Sequence, residues 1–263
     1  NKMNETTQKL IKAFAICLAI FIIVSIINTI VYFASNIFSV NNNINMNEDY
    51  SSEIKNIKID MGTSNLIIKK GDTLNVIADN VSKRFKVHEE SDTLTIKEKS
   101  VNVFRSKSIS KVIITIPNNL KDLSIDFGAG KLEISDINTS RFNLDQGAGK
   151  VIINNLISGK TDIDGGAGEL NIKSSVLEDL DLDMGAGKFY FSGSLHGNNK
   201  IEQGIGELIL DLNGNDYTIK ASKGLGSITI NGEDYSKNTT VGEGINNIEI
   251  DGGIGSIIIN TNK

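Results

Sequence analysis

At 263 residues the chain is long enough for one large or two modest domains with a buried core, so neither a disulfide nor a metal is needed to hold it together. Its 25 glycines, single proline and lack of tryptophan, beside abundant Asn, Ile and Asp, favour short, tightly turned strands over helices. The formal charge of −5, with basic residues scattered among acidic ones, leaves no electrostatic footprint for nucleic acid, and the lone Cys17 excludes an intrachain disulfide.

Residues 1–12 carry Lys2, Lys9 and Lys12 and precede an uncharged run from Ala13 to Ala34, AFAICLAIFIIVSIINTIVYFA. As a helix this run spans a bilayer core of about 30 Å. The first basic residue beyond it is Lys55, so the positive-inside rule predicts a 12-residue cytoplasmic tail, a single transmembrane anchor over 13–34 and an extracytoplasmic remainder at the cell membrane. A cleaved signal peptide is the rival reading, but its apolar core normally runs about 7 to 15 residues and ends in a small-x-small site. Tyr32 and Phe33 before Ala34 do not supply one. A lipidated cysteine is excluded, because Cys17 follows Ile16 inside the apolar run rather than a small residue behind it. Asn28 and Thr29, near the outer end of the span, can reach the headgroups or pair with another helix.

Residues 35–52, ending in NNNINMNEDYSS, read as a polar tether. From 53 to 117 short alternating runs follow: Ile54–Asp60, Leu66–Lys69, Leu74–Ala78, Phe85–His88, Leu94–Lys97 and Val112–Ile116. Period two and β-branched content predict strands. Pro117-Asn118-Asn119 marks a boundary, and repeats occupy 118–260.

The units are DFGAGKLEI, DQGAGKVII, DGGAGELNI, DMGAGKFYF, EQGIGELIL, SKGLGSITI and DGGIGSIII. Their glycine pairs are Gly128 and Gly130, Gly147 and Gly149, Gly166 and Gly168, Gly185 and Gly187, Gly204 and Gly206, Gly224 and Gly226, and Gly253 and Gly255, at intervals of 19, 19, 19, 19, 20 and 29 residues. DMGTSNLII around Gly62 is a degenerate early copy, which ties the N-terminal β region to the same architecture. A fixed period of this length is the mark of a repeat fold.

With the first glycine of each pair as origin, positions −5 and −3 are mostly apolar, as in Leu123 and Ile125, and so are +4 and +6, as in Leu132 and Ile134. Each set alternates like a strand with one buried face, but seven residues separate −3 from +4, so a corner or bulge must reset the parity. The glycines lie at that corner as structural turn residues, where positive φ and close backbone approach favour them. The prediction is all-β: a parallel β-solenoid of roughly 19-residue glycine-centred coils, β-helix-like, preceded by one transmembrane helix. Between the glycines, Ala129, Ala148, Ala167 and Ala186 give way to Ile205, Leu225 and Ile254, which suggests an interior that widens towards the C-terminus.

The run VIITIPNNLKDLSIDFGAGKLEI and the GAGK-type units after it resemble the DUF4097 family of candidate bacterial adhesins, over about residues 53–260. The resemblance implies a solenoid-like exported domain and a surface or envelope role. It brings no catalytic motif and no cofactor.

Position −2 holds Asp60, Asp126, Asp145, Asp164, Asp183, Glu202, Ser222 and Asp251. In a stack these form a ladder of like charges. One reading is a column of calcium sites over Asp126, Asp145, Asp164, Asp183 and Glu202; the other is turn capping, each carboxylate accepting from the glycine amides that follow. Lysines at +3, such as Lys131, Lys150 and Lys188, neutralise part of the column. The RTX calcium motif does not fit, because Leu170 and Ile257 stand where it needs aspartate, and the GxG pairs open no helix and lack the P-loop lysine spacing. His88 and His196, the two histidines, belong to no GxSxG or HExxH motif. Acidic residues on a β-helix face also suit a carbohydrate-active enzyme, but with five tyrosines and no tryptophan the sugar-stacking platforms are scarce. The insert GEDYSKNTTVGEG, over 232–244, reads with Tyr217 and Tyr235 as a loop outside the repeat. Ile259 near the C-terminus leaves a sheet edge open to self-association.

The resulting reading is a non-enzymatic, membrane-anchored scaffold that binds an envelope protein, wall polymer or surface ligand. The alternative is an accessory membrane component of an envelope stress response, and a carbohydrate-active enzyme stands third.

Overall fold

A computed structural model describes residues 44–98, 110–236 and 238–262, together with Ser25. No helix among these residues is long and apolar enough to cross a membrane, and the predicted anchor over 13–34 lies, apart from Ser25, outside them.

The centre of the molecule is a parallel stack. Strand β7 (Leu120–Ser135) pairs in register with β8 (Asn138–Asn154), β8 with the first half of β9 (Ile157–His196), and the second half of β9 with β10 (Asn198–Leu212). Each rung bends at its glycine pair. In the rung of β8 the order is Gln146 buried, Gly147 exposed, Ala148 half-exposed, Gly149 and Val151 buried, so two consecutive residues face outward and the inward parity is reset. The two glycines serve different needs. A Cβ on Gly147 would overlap the carbonyl oxygen of Gly128 in the next rung, whereas Gly149 and its counterparts from Gly130 to Gly255 also hold φ between 121 and 152°. Position −1 is therefore a third inward column, holding Met61, Phe127, Gln146, Met184 and Gln203, which the −5/−3 pattern had not included. A second corner uses polar residues: Asp136, Asn155 and Ser174 take left-handed φ of 58, 55 and 51°, and the Asn155 amide donates to Asp136 at 2.8 Å.

At both ends the spatial order departs from the chain order. Strand β14 (Asn246–Thr261) lies between β10 and β11 (Tyr217–Ile230), pairing in parallel with both, so Gly253 is sandwiched by Gly204 and Gly224. The 29-residue interval is the excursion this requires, and the insert is not a free loop. Its strands β12 (Glu233–Tyr235) and β13 (Thr239–Val241) fold back antiparallel along the two arms of β11. The open edge expected at Ile259 does not exist, because β14 is flanked on both sides.

The corner glycines lie inside continuous strands, at the bulges that reset the parity: Gly128 and Gly130 in β7, Gly147 and Gly149 in β8, Gly166, Gly168, Gly185 and Gly187 in β9, Gly204 and Gly206 in β10, Gly224 and Gly226 in β11, and Gly253 and Gly255 in β14. The reason is that a bulge bends the chain without breaking the ladder, whereas a turn would end it. Gly226 shows how the spatial order of the rungs departs from chain order. It is half-exposed at a φ of 152°, and chain order would stack it on Gly206. Gly226 pairs instead with Gly255, whose carbonyl oxygen an added Cβ would overlap, and Gly206 lies on the opposite side of Gly255.

The N-terminal end repeats the device. Strand β2 (Asn56–Lys70) is a full rung that merges two of the runs read as separate strands. It lies between β7 and an outer rung made of β5 (Thr93–Glu98) and β6 (Lys111–Ile116). Strand β4 (Phe85–Glu90) covers β5, and β3 (Leu74–Val81) covers β6, both antiparallel. Residues 44–50, read as part of the tether, instead form β1 (Ile44–Tyr50) against β3. The sheet is one open path, β1-β3-β6-β2-β7-β8-β9-β10-β14-β11-β12, around a continuous apolar core.

The middle residues of the GxG corners face outward: Ile205 and Leu225 are 37% and 50% exposed. The predicted widening of the interior is thus corrected, because the bulge places this position on the outside of the corner whatever its size.

Candidate functional site

The longest chemically uniform feature is the row of acids at position −2. Register pairs Asp60 with Asp126, Asp126 with Asp145, Asp145 with Asp164, Asp183 with Glu202, Glu202 with Asp251 and Asp251 with Ser222. Insertion of β14 makes the carboxylates continuous from Asp60 to Asp251, since in chain order Ser222 would interrupt them. The row is closed at one end by Lys97, opposite Asp60, and at the other by Ser222, whose hydroxyl donates to Asp251. Asp162 and Asp181, two residues earlier on the same outward face, broaden it in the middle.

Partial burial, then the neighbouring Asp162, Asp145, Asp183 and Asp181, hold the Asp164 carboxyl above its ordinary range. Burial, then Asp145 and Asp60, do the same for Asp126. The carboxylates do not act as turn caps. Hydrogen bonds lowering the carboxyl pKa are absent from the environments of Asp126 and Asp164, because the strand runs straight through position −2 and the corner turns on the bulge beyond it.

The calcium ladder over Asp126, Asp145, Asp164, Asp183 and Glu202 does not fit this geometry. Calcium takes about six to eight oxygens around one point. Among the described residues no group of three or more His, Cys, Asp or Glu converges to hold a metal ion. Strand pleating aims the acids side by side off one flat face rather than towards a common centre.

On the other arm the outward column mixes both signs, Lys131 and Lys150 being followed by Glu169, Lys188 and Glu207. Lys150 pairs with Glu169 at 2.9 Å and Lys188 with Glu207 at 2.6 Å, and the hydrogen bonds from Asn171 and Lys150 hold Glu169 below its usual range against the opposing effect of burial. The two histidines are brought to different places: His88 lies on the covering strand β4 and His196 at the end of β9, both exposed. The cap adds an open polar crevice of about 230 Å³, lined by Lys220, Ser222, Thr239, Thr240, Glu249 and Asp251. Sequence reasoning missed the crevice and the hairpin beside it, although Asn231-Gly232, with φ of 51 and 81°, is a two-residue turn signal between ITI and EDY.

These features define a capped β-solenoid whose accessible chemistry lies on its outer faces. The chain belongs to the Toastrack DUF4097 family, whose model matches residues 54–246. Among solved structures, a candidate adhesin from Bacteroides fragilis shares 15% identity over 86% of this chain and 100% of its own, with a TM-score of 0.54, which establishes likeness of fold. A candidate cell adhesion protein from Clostridium sporogenes (16% identity, 84% of this chain, 100% of its own, TM-score 0.40) and a candidate lipid binding protein from Parabacteroides distasonis (15%, 87%, 100%, 0.35) are more distant in shape. No curated protein matches the chain.

Proposed function

We propose that the chain is a non-enzymatic, membrane-anchored scaffold of the cell envelope that binds a wall polymer, surface ligand or envelope protein through the outside of its stack. The observation that carries this reading is the capping of both ends: β12 and β13 cover one terminal rung, β3 and β4 the other. Covered ends block further rung addition, which leaves the long outer faces as the surfaces for contact. The uncharged run 13–34 and the lysines before it support anchoring with the N-terminus inside.

The test is photo-crosslinking of the full chain in intact cells, with probes along the acidic face at Asp145 and Asp183, after alkaline washing of membranes has established whether the chain is integral. Capture of wall polymer or a surface ligand by wash-resistant chain supports the proposal. Capture of a membrane sensor instead assigns the chain to an envelope stress response, and trimmed polysaccharide products assign it to the carbohydrate-active enzymes.

A further inference from the structure

Four steps in the chain join an acid or its amide to a following glycine: Asp164-Gly165, Asn213-Gly214, Asn231-Gly232 and Asp251-Gly252. At such a step the glycine amide nitrogen can attack the side-chain carbonyl, because glycine has no side chain to obstruct the five-membered ring that forms. Attack needs a side chain able to swing onto the backbone and an amide nitrogen without a hydrogen-bond partner. The fold sorts the four steps by these needs. Asp164-Gly165 lies inside β9 and Asp251-Gly252 inside β14, where the extended backbone is held in register by neighbouring rungs. Asn231-Gly232 is the hairpin turn between β11 and β12, and there the side chain is taken: Asn231 Oδ1 accepts from the Thr261 amide at 2.8 Å, and Asn231 Nδ2 donates to the Thr261 hydroxyl at 3.1 Å.

Asn213-Gly214 differs on each count. It lies in the link between β10 and β11, both residues are exposed, and a Cβ on Gly214 would meet no atom within 4 Å, so the space beside the glycine is open. Among the described residues neither the Asn213 side-chain amide nor the Gly214 backbone amide has a hydrogen-bond partner. The backbone of Asn213 is held instead: its amide donates to the Gly193 carbonyl at 2.7 Å, and its carbonyl accepts from the Tyr217 hydroxyl at 2.8 Å. That carbonyl belongs to the same peptide group as the Gly214 nitrogen. When the nitrogen loses its proton the charge spreads onto this oxygen, and a hydroxyl donating to the charged form favours it. Tyr217 is 4% exposed, so packing fixes the hydroxyl in place.

We propose that Asn213-Gly214 is a site of spontaneous covalent modification, promoted by Tyr217, at which the Gly214 nitrogen closes a succinimide on the Asn213 side chain. The N–Cγ bond forms as the Cγ–Nδ2 bond breaks, and the departing amide nitrogen leaves as ammonia with the proton that Gly214 gave up. Water then opens the ring. Hydrolysis at Cγ leaves aspartate on the original backbone; hydrolysis at the Asn213 backbone carbon leaves isoaspartate, with the main chain running through Cγ. No oxidant, reductant or enzyme enters the balance. Either product adds a negative charge beside Asp211 and Asp216. Isoaspartate also inserts a methylene into the main chain and turns the carbonyl that Tyr217 holds into a carboxylate off the chain, so the link from β10 to β11 loses the tie that closes it.

The test is to hold the purified full chain in mildly alkaline buffer and follow two tryptic peptides by mass spectrometry: residues 201–220, which carry Asn213, and 224–237, which carry Asn231. Modification at Asn213 should outpace that at Asn231 by about tenfold, the factor set by breaking the Asn231 bonds to Thr261 before attack. In urea, where those bonds are gone, the two rates should converge. Tyr217→Phe should slow the change at Asn213 several-fold and leave Asn231 as it was, and an isoaspartyl methyltransferase should label the aged chain mostly within 201–220. Equal rates in the folded chain, a faster change at Asn231, or a ratio that persists in urea would overturn the site. A Tyr217→Phe rate at or above that of the wild-type protein would overturn the part given to Tyr217.

Discussion

The middle of the stack and its two ends are built from the same rung but solve different problems. From β7 to β9 each coil passes to the next through a two-residue corner, Asp136-Ile137 or Asn155-Leu156, and spatial order equals chain order. At the ends the first and last rungs in the chain, β2 and β14, are buried one place in, and antiparallel strands cover the outermost rungs. A middle rung has a neighbour on each side to take its backbone groups; an end rung has one, and its free edge would template aggregation. Short covering strands and polar turns protect that edge at the cost of extra sequence.

Replacing Gly187 by alanine in the middle tests the comparison most severely. A Cβ there meets the Gly168 carbonyl, and φ is 146°, so the ladder must open. We expect a loss of more than about 3 kcal/mol in denaturant unfolding, from left-handed strain plus broken rung contacts. Gly232→Ala at the end cap should cost only about 1–2 kcal/mol, since its φ is 81° but no atom lies within 4 Å of the added Cβ. Similar losses at the two sites would remove the distinction between middle and end.

Buried polar groups separate the regions in the same way. Gln146, in the middle, has neither amide atom partnered within the protein, whereas Gln203 donates from Nε2 to the Gly187 carbonyl at 2.9 Å and leaves only its Oε1 unpartnered. Methionine occupies the equivalent column at Met61 and Met184, so Gln146→Met should raise stability by about 1–2 kcal/mol. A decrease would show that the amide is satisfied in solution.

Glu98 is the buried acid of the N-terminal end, accepting from the Ser82 amide at 2.9 Å and the Ser110 hydroxyl at 3.3 Å. Burial outweighs those bonds and raises its carboxyl above the usual range. The protonated form is thus the one the fold favours: the stability it contributes is full below the unfolded glutamate value and is lost as pH rises through the raised folded value. Thermal melts of Glu98→Gln should lack that decline and lie above the wild-type protein at neutral pH. A wild-type curve that climbs through this window would reverse the assignment.

The smallest effect is expected at the surface. Asp164→Asn in the middle of the acidic row should gain about 0.2–1 kcal/mol at low ionic strength and nothing in high salt, because only exposed like-charge repulsion is relieved. Asp60→Asn, at the end of the row opposite Lys97, should gain nothing or lose slightly. Equal gains would mean the row is uniform along its length.

Much of this architecture was open to reading in the residues. The glycine period marks the corner, alternation about it identifies Leu132, Ile134 and their counterparts as core, and Asn231-Gly232 announces a hairpin that a loop reading passed over. The outward aim of Ile205, Leu225 and Ile254 was not readable from hydrophobicity, because an apolar residue beside a bulge is buried or exposed according to which strand it continues. The buried −1 column was missed for the same reason: Gln146 and Gln203 look like surface residues in sequence.

What the amino-acid sequence settles alone is the rung, its length, its glycine corner and its inward positions, since these follow from local sterics and period. What the tertiary structure decides is which rung lies beside which. Every rung offers the same pattern, so β14 would satisfy local rules outside β11 as well as inside it; the 15-residue connection 231–245 and the strands β12 and β13, which need the outer edge of β11 free, select the observed order. The pairing of Gly226 with Gly255 rather than Gly206 and the continuous acidic row are products of that choice, which is why neither can be seen in the chain read from end to end.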